Sequence, residues 1–401
     1  MNADHRAYWI WMQQVFEAGS PKPAEIDKQY PGGVREFLES GPKLWFSRHR
    51  FSEKEIVALQ SFSLAEAQAR LEYAEKMGWK VITPDTSGYP EALKNIYDPP
   101  AVLYIKGKLP NLNKSVNVAV AGARKASESS ADAARSFGYS LALGGACVIS
   151  GGALGIDAAV LSGALEIPGA KVISVLPVSL DSTYVRKNAR LRNRILERGG
   201  ALMSEHFSQQ LPAFNGFHLR NRLITGMSRG VVLIQAAEKS GTMLYSKLAL
   251  EQNRDVFVYP GDPGDPDFAG SRALMADGAP AVETGNDILR EYDKELAAGL
   301  NALQARSASL FDPGHIRTEP ERPPAEKTET PVKGHLPGAL ADLSPGAEGV
   351  WQALETTPLS VADLESRTQL PTARLLAILT ELELEGLAES HPGKRFTKAW
   401  G

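Results

Sequence analysis

The residues best suited to chemistry begin with a short turn after the β-branched run 116–120. Gly122, Arg124 and Lys125 stand in this turn, and a helix-like segment follows from Ser127. A glycine lets the backbone approach a ligand closely, and the first N–H groups of a helix point outward without partners. Such a turn binds anions, and two cations beside it favour phosphate. Taken alone, the motif is equally consistent with an ordinary strand–helix turn whose charges are solvated.

A second glycine-rich turn follows the next apolar run. It contains Ser150, Gly151, Gly152 and Gly155, and Asp157 lies just inside the helix that comes after it. These glycines indicate a second phosphate-type loop. The Asp157 carboxylate is expected to cap the N–H groups of the helix. Two such loops on neighbouring strands are a much stronger signal than one.

Basic residues are concentrated in residues 186–198. This stretch holds six cations and one acidic residue, Glu197; the cations are Arg186, Lys187, Arg190, Arg192, Arg194 and Arg198. A solvated helix face normally mixes charges of both signs, so the bias favours a polyanion as ligand. Further candidates for phosphate contact lie in this stretch and before two later helices: Asn188, Arg220, Asn221, Arg222, Ser240, Gly241 and Thr242.

Several familiar cofactor and catalytic patterns are missing from the sequence. It has no GxGxxG motif, and no acidic residue closes the second strand, which argues against a dinucleotide dehydrogenase. It also has no GxxxxGK[ST] motif and no His, Cys and carboxylate cluster with metal-ligand spacing. We therefore expect neither a cofactor nor a metal site.

Composition limits the class of protein further. The chain has 401 residues, a net charge of -3 and one cysteine, Cys147, so a disulfide within the chain is excluded. Because the overall charge is nearly balanced, binding to nucleic acid must depend on local clusters of cations. The first residues do not resemble a secretory signal, and no apolar run reaches membrane-spanning length. We expect a soluble cytoplasmic protein.

Strand-like and helix-like segments alternate from residue 116 onward. The predicted strands are 116–121, 146–150, 171–176, 201–204, 231–236 and 255–259. The predicted helices are 127–143, 156–165, 187–198, 221–228 and 242–252. Several strands are continuously apolar, which suits parallel strands covered on both faces. The pattern predicts an α/β fold, a Rossmann-like doubly wound parallel sheet whose ligands bind at the carboxyl ends of its strands.

Different patterns flank this sheet and divide the chain into four parts. Residues 1–80 show helical spacing, and we favour a small packed bundle with an aromatic core over one that grips a nucleic-acid backbone. Residues 81–295 contain the sheet. Residues 296–342 include a proline-rich stretch and predict a flexible linker. In residues 343–401, three helices followed by a hairpin predict a winged helix. Because its third helix is acidic, a protein contact is at least as well supported there as a DNA contact.

Together these motifs resemble the DNA-processing protein DprA family, also called Smf. The resemblance covers most of residues 80–290, in the segments 98–100, 120–125, 148–159, 180–184, 204–205, 220–228, 240–242, 249–254 and 256–261. It implies a Rossmann-like domain between a small helical, SAM-like domain and a winged helix. It also implies a single-stranded-DNA-binding protein without catalysis. By this resemblance Arg124 and Lys125 hold DNA in the pocket, with Lys187, Asn188, Arg220 and Arg222 as weaker additional candidates.

The resemblance also implies a cellular role. Members of the family protect incoming single strands during natural transformation, help load the RecA recombinase and act as homodimers through the Rossmann-like domain. This sequence departs from the family pattern in several places: Ala123 replaces a usual Ser, Leu154 a usual Arg, residues 176–179 a usual Gly-rich turn, and Tyr245 and Ser246 usual small residues. Losing the Arg at position 154 removes a cation, so weaker DNA binding or a divergent task is expected.

Two other classes of function compete with this interpretation. Nucleoside-monophosphate phosphoribohydrolases share a Gly-Thr turn but place a catalytic carboxylate just beyond it. Here Gly241 and Thr242 are followed by no acid before Glu251, and a general acid or base must lie within hydrogen-bonding distance of its proton. A winged-helix transcription factor with a nucleotide-sensing domain is the other class, and the acidic third helix argues against it.

Overall fold

The computed structural model describes residues 4–182, 188–207, 216–292, 346–355, 357–384, 387–391 and 395–398. They fall into two compact units, one before and one after residue 300. The predicted linker at 296–342 lies outside the described residues, as do Arg186 and Lys187. No helix in the described ranges is both long and apolar enough to cross a membrane.

The N-terminal part of the first unit is helical. Its helices are α1 (His5–Phe16), α2 (Lys22–Gln29), α3 (Gly33–Arg48), α4 (Glu53–Ser61) and α5 (Leu64–Lys76). Helix α3 is interrupted at Gly41, where φ is 73° and Pro42 follows, as the Gly-Pro pair predicts. The rings of Phe37 and Trp45 lie 6.1 and 5.8 Å from the buried ring of Trp11. The predicted aromatic core is therefore confirmed for these residues.

The rest of the first unit is built on one large sheet. Its strands are β1 (Lys80–Ile82), β2 (Leu103–Gly107), β3 (Asn117–Gly122), β4 (Cys147–Ser150), β5 (Lys171–Leu176), β6 (Ala201–Ser204), β7 (Gly230–Ile234) and β8 (Asp255–Val258). Their order is β1-β2-β6-β5-β4-β3-β7-β8. Strands β3 to β8 pair in parallel, as predicted, whereas β1 and β2 add an antiparallel edge beside β6.

Helices cover both faces of this sheet. They are α6 (Glu91–Lys94), α7 (Glu128–Leu143), α8 (Ile156–Ala164), α9 (Ala189–Glu197), α10 (Gly216–Met227), α11 (Met243–Glu251), α12 (Ala269–Ala276) and α13 (Gly285–Glu291). After β6 the chain passes through α10 and returns to the sheet at β7, beside β3. The strand order therefore reverses between β3 and β7, which is where doubly wound sheets open a ligand crevice.

Helix α10 begins earlier than the sequence predicts. The predicted start was residue 221, but the helix starts at Gly216. Its first turn is held by distant parts of the chain, since the Leu219 side chain fills the space beside Gly19. As a result Arg220 stands on the helix rather than in a turn before it.

The second unit is a winged helix, as predicted. It contains α14 (Ala347–Ala353), α15 (Val361–Thr368) and α16 (Thr372–Leu384), with strands β9 (Leu359–Ser360), β10 (Ala388–His391) and β11 (Arg395–Lys398) in the order β10-β11-β9. The short strand β9 adds to the predicted hairpin. Leu364, Leu375, Leu379 and Phe396 are buried in a core that belongs to this unit alone.

Candidate nucleic-acid interface

Three turns meet at the carboxyl edge of the sheet because β4, β3 and β7 are neighbours. The turn after β3 lies in the middle. On one side the backbone N–H of Ile156, after β4, donates to the carbonyl of Ala123 over 3.1 Å. On the other side the backbone N–H of Ser127 donates to Oε1 of Gln235, after β7, over 3.0 Å. The glycine loops that the sequence places at separate strand ends therefore border a single crevice.

Gly155 allows two of these turns to touch. It stands at the start of α8 with φ 74° and ψ -128°, a conformation that side chains disfavour. A Cβ atom here would overlap the carbonyl oxygens of Ala123 and Arg124. The glycine thus brings the β4 loop against the backbone of the Arg124 turn.

The crevice contains an aromatic ring with two guanidinium groups close to it. The exposed Arg124 lies over the half-buried ring of Phe217, with 4.9 Å from its guanidinium carbon to the ring centroid. Arg220, one helical turn after Phe217, lies 5.9 Å from the same centroid. Arg220 is buried, and its Nη1 donates to the carbonyl of Val175 at the end of β5 over 2.9 Å. Cations that flank a ring can bind phosphates while the ring stacks on a base.

Gly151 leaves room for a charged pair at the floor of the crevice. A Cβ atom on Gly151 would overlap the Arg220 guanidinium and lie 2.6 Å from Oδ2 of Asp157. Burial raises the pKa of Asp157, and the nearby Arg220 opposes that shift. Oδ2 accepts from the backbone N–H of Ala153 over 3.3 Å, so this carboxyl supports the loop before α8 rather than the N–H groups of the helix.

Two predicted binding residues shape the loops with their side chains. Nδ2 of the buried Asn188 donates to the carbonyl of Gly152 over 2.6 Å, which joins the start of α9 to the glycine loop. The Ser150 hydroxyl donates to the carbonyl of Val120 over 2.8 Å and is fully buried. Lys125 is exposed in the Arg124 turn. Lys187, a further candidate, lies outside the described residues.

Arg222 is placed away from the crevice, although it is two residues from Arg220. Two residues turn an α-helix by about 200°, so the two side chains leave α10 on opposite sides. Nη2 of the buried Arg222 lies 2.7 Å from each carboxylate oxygen of Glu205, and Nε lies 3.1 Å from Oδ2 of Asp98. Burial raises the pKa of Asp98, and Arg222 opposes that shift. This ion network joins three family motifs and gives Arg222 a structural role. Asn221 between them is also buried.

The turn before α11 belongs to the loop after β7, which borders the crevice. The Ser240 hydroxyl donates to the carbonyl of Ala237 over 2.7 Å, Gly241 is exposed, and Thr242 is buried at the start of the helix. Burial raises the pKa of Tyr245 to about 12, and Arg220, Asp157 and Arg124 also act on it. Tyr245 therefore lies close to these charges, at a position where the family usually has a small residue.

The basic helix α9 divides its cations between the two edges of the sheet. Arg190, Arg194 and Arg198 are exposed, whereas Arg192 is half-buried. Leu191 and Ile195 hold the helix against the sheet. Arg198 lies about 12 Å along the helix from Arg190, since an α-helix rises 1.5 Å per residue. Only the start of α9 is therefore near the crevice.

Phe217 is the residue that the sequence reasoning missed. Its signal is its spacing, because it stands three residues before Arg220 and so shares a helical face with it. That face becomes visible only when α10 is known to begin at Gly216. DNA contact by any of the predicted residues remains a prediction.

These features define a Rossmann-like protein with a glycine-lined crevice that contains arginine side chains at the switch point of its sheet. Among the residues that the structure describes, no group of three or more His, Cys, Asp or Glu could hold a metal ion. The chain belongs to the DNA recombination-mediator protein A family, whose family model matches residues 80–293. A model of the DprA winged helix domain matches residues 335–394.

Individual relatives agree with this assignment. Protein Smf of Escherichia coli strain K12 is 32% identical over 334 residues, which cover 83% of this chain and 81% of the relative. DNA processing protein DprA of Streptococcus pneumoniae strain R6 is 36% identical over 205 residues, 51% of this chain and 71% of the relative. The X-ray structure of DprA from Streptococcus pneumoniae superposes with a TM-score of 0.61 at 27% identity, over 73% of this chain and 99% of that one. The resemblance to the DprA (Smf) family is thus confirmed.

Proposed function

We propose that this protein binds single-stranded DNA in the crevice at the carboxyl edge of its sheet. The observation that carries the proposal is the Phe217 ring with the guanidinium groups of Arg124 and Arg220 close to it. A single strand exposes both its phosphates and the faces of its bases, whereas a duplex hides the base faces. Cations grouped around an aromatic ring suit the single strand.

The extent of the anion-binding surface favours a polymer over a mononucleotide. The turns after β3, β4 and β7 all border the crevice, and the exposed cations of α9 begin beside it. Mononucleotide sites need one or two such turns, whereas a run of phosphates can use them all. The relatives from Bacillus subtilis and Streptococcus pneumoniae are named DNA processing protein DprA, which agrees with a DNA ligand.

The proposed role in the cell is taken from family membership. The protein protects incoming single strands during competence and natural transformation and loads RecA recombinase onto them. It acts in the cytoplasm as a homodimer through its Rossmann-like domain and uses no cofactor. These statements rest on the family resemblance.

Binding without catalysis is supported by the position of Glu251, the acid that follows the Gly-Thr turn. Glu251, the first acid after Thr242, is exposed at the far end of α11, and its Oε1 lies 3.9 Å from Nζ of Lys247. Nine residues of helix separate it from Thr242 by about 13 Å. A phosphoribohydrolase would need its carboxylate within hydrogen-bonding distance of the bound nucleotide.

The test is a fluorescence-anisotropy titration of the full chain with labelled oligo-dT, single-stranded and duplex, over a series of salt concentrations. Arg124→Ala should weaken single-strand binding and flatten the log–log salt slope by about 0.7, the value for one lost phosphate contact. Phe217→Ala should weaken binding with little change in slope, because it removes stacking rather than charge.

The matched control is Lys108→Ala, which removes an exposed cation at the opposite edge of the sheet. It should bind like the wild-type protein. The proposal fails if the wild-type protein binds no single strand at low salt. It also fails if Arg124→Ala and Lys108→Ala behave alike.

A further inference from the structure

A second basic and aromatic surface lies in the N-terminal helical part. Residues 42–52 contain Lys43, Arg48, His49 and Arg50 but no acidic residue. Although most aromatic side chains of this part are buried, Phe46 is 41% exposed in the same segment. A solvated segment normally mixes charges, so the bias indicates an anionic partner.

Three of these residues, Arg48, His49 and Arg50, border a cleft of about 220 Å³ between α2 and the end of α3. Its basic wall is formed by Lys22, Arg48, His49 and Arg50, and we call it the basic cleft. Phe51 also lines it, with its ring centroid 6.2 Å from that of Phe46. The cleft is large enough for a phosphate group and opens beside a partly exposed ring.

The basic side chains of the cleft differ in whether they carry a positive charge that a ligand could use. Lys22 is neutralised by Glu55, whose carboxylate lies 2.6 Å away. Burial and the neighbouring Arg48 lower the pKa of His49, so we count this side chain as neutral. Arg48 lies 5.7 Å from the Tyr30 ring centroid.

In the part of the chain that the structure describes, neither Arg48 nor Arg50 forms an ion pair. Both are exposed, and Glu25 is the acid that lines the cleft. Two guanidinium groups are therefore free to meet phosphates.

The basic cleft and the crevice belong to the same compact unit. The Leu219 side chain fills the space beside Gly19, and Lys22 follows Gly19 by three residues, which span at most about 11 Å of chain. Leu219 and Phe217 are two residues apart and so leave α10 on opposite sides. A strand that occupies both sites must therefore pass around this helix, which requires a long strand.

We propose that the basic cleft and Phe46 form a second contact for single-stranded DNA, in addition to the crevice. Arg48 and Arg50 bind backbone phosphates, and a base stacks on Phe46. This inference rests on the proposed function. A short strand fills the crevice alone, whereas a longer strand occupies both sites.

The experiment uses the full chain and two lengths of labelled oligo-dT, of about 5 and about 20 nucleotides, around the 4–16 nucleotides of typical single-strand sites. The test variant is Arg48→Ala/Arg50→Ala. It should weaken binding of the long strand, flatten its salt slope by about 1.4 for two lost phosphate contacts, and leave the short strand unaffected. Phe46→Ala should weaken long-strand binding roughly fivefold, the low end of one base–aromatic stack.

The matched control is Lys108→Ala/Lys114→Ala, since both lysines are exposed at the opposite edge of the sheet. Arg48→Lys/Arg50→Lys should retain long-strand binding because the charges remain. The inference is wrong if the double alanine variant binds both strands like the wild type, or loses both equally. It is also wrong if that variant loses binding only to vesicles of phosphatidylcholine and phosphatidylserine.

Arg124→Ala, titrated alongside, separates the two proposals. If short-strand binding depends on Arg124 and the double alanine variant binds both strands like the wild type, the second contact is ruled out and the proposed function stands. If the wild-type protein binds neither strand at low salt, both the proposed function and the second contact are ruled out.

Discussion

At the scale of single residues, the sequence predicts where the glycine loops lie but does not show why each glycine is needed. The glycine loops do lie at the predicted strand ends. Two of the glycines, however, are required by protein neighbours: Gly155 by the Arg124 turn and Gly151 by Arg220 and Asp157. Sequence spacing cannot show this, because these neighbours come from turns and a helix that are distant in the chain.

Gly155→Ala should disturb both the fold and the ligand crevice. The strained backbone alone should lower the free energy of unfolding by about 1–3 kcal/mol, and the overlap with the carbonyls of Ala123 and Arg124 adds to this. Urea unfolding measures the first effect, and oligo-dT titration measures the loss of affinity.

Gly241→Ala is the matched control because no atom lies within 4 Å of the added Cβ. Its free energy of unfolding should stay within about 0.5 kcal/mol of the wild-type value. Equal stability of the two variants would show that the Gly155 loop does not need its glycine.

At the scale of elements, α10 shows how one helix gives two neighbouring cations opposite roles. Arg220 faces the crevice beside Phe217, and Arg222 faces the buried carboxylate of Glu205 and the half-buried one of Asp98. The motif around them predicts basic residues near phosphate but does not separate these roles. The separation depends on where the helix begins, and contacts such as Leu219 with Gly19 set that start.

Arg222→Ala should therefore act mainly on stability, whereas Arg220→Ala should act on both binding and stability. Removing Arg222 leaves the buried carboxyl group of Glu205 and the half-buried one of Asp98 without a cation, which should lower the free energy of unfolding by about 3–5 kcal/mol. Arg220→Ala should weaken single-strand binding; its lost hydrogen bond to Val175 costs about 1 kcal/mol of stability, and the buried Asp157 carboxyl left without its cation adds to this. Urea unfolding and oligo-dT titration of both variants check these expectations. A stable Arg222→Ala variant with weak DNA binding would contradict this division of roles.

At the scale of the whole molecule, the parallel sheet was predictable because its strands are short apolar runs separated by helices. The ends of the observed strands agree with the predicted ones to within two residues. The strand order was not predictable in the same way. It depends on the return of the chain to β7 beside β3, and on the antiparallel pairing of β2 with β6. That order is what brings the separate turns to one crevice.

The same scale concerns the basic residues of the winged helix. In its hairpin the described Arg395 is exposed, whereas Lys398 lies over Trp351, with 3.5 Å from Nζ to the ring centroid, and desolvation lowers the pKa of this lysine. On its third helix, Glu381 is buried and Glu383 accepts from the Ser390 hydroxyl over 2.8 Å. Among the described residues, the hairpin and the third helix therefore offer no run of cations to a phosphate backbone.

A chain that ends at Tyr292 should therefore bind single-stranded oligo-dT within about twofold of the full chain, a difference of about 0.4 kcal/mol. Every described residue in the crevice and the basic cleft precedes that position, and the sheet and N-terminal helices have cores of their own. Side-by-side titrations over the same salt series measure the difference, with circular dichroism as the check on folding. A folded fragment that loses more than about tenfold in affinity, or about 1.4 kcal/mol, would place part of the DNA site beyond Tyr292. An unchanged affinity and salt slope would indicate that the winged helix serves a partner other than the single strand.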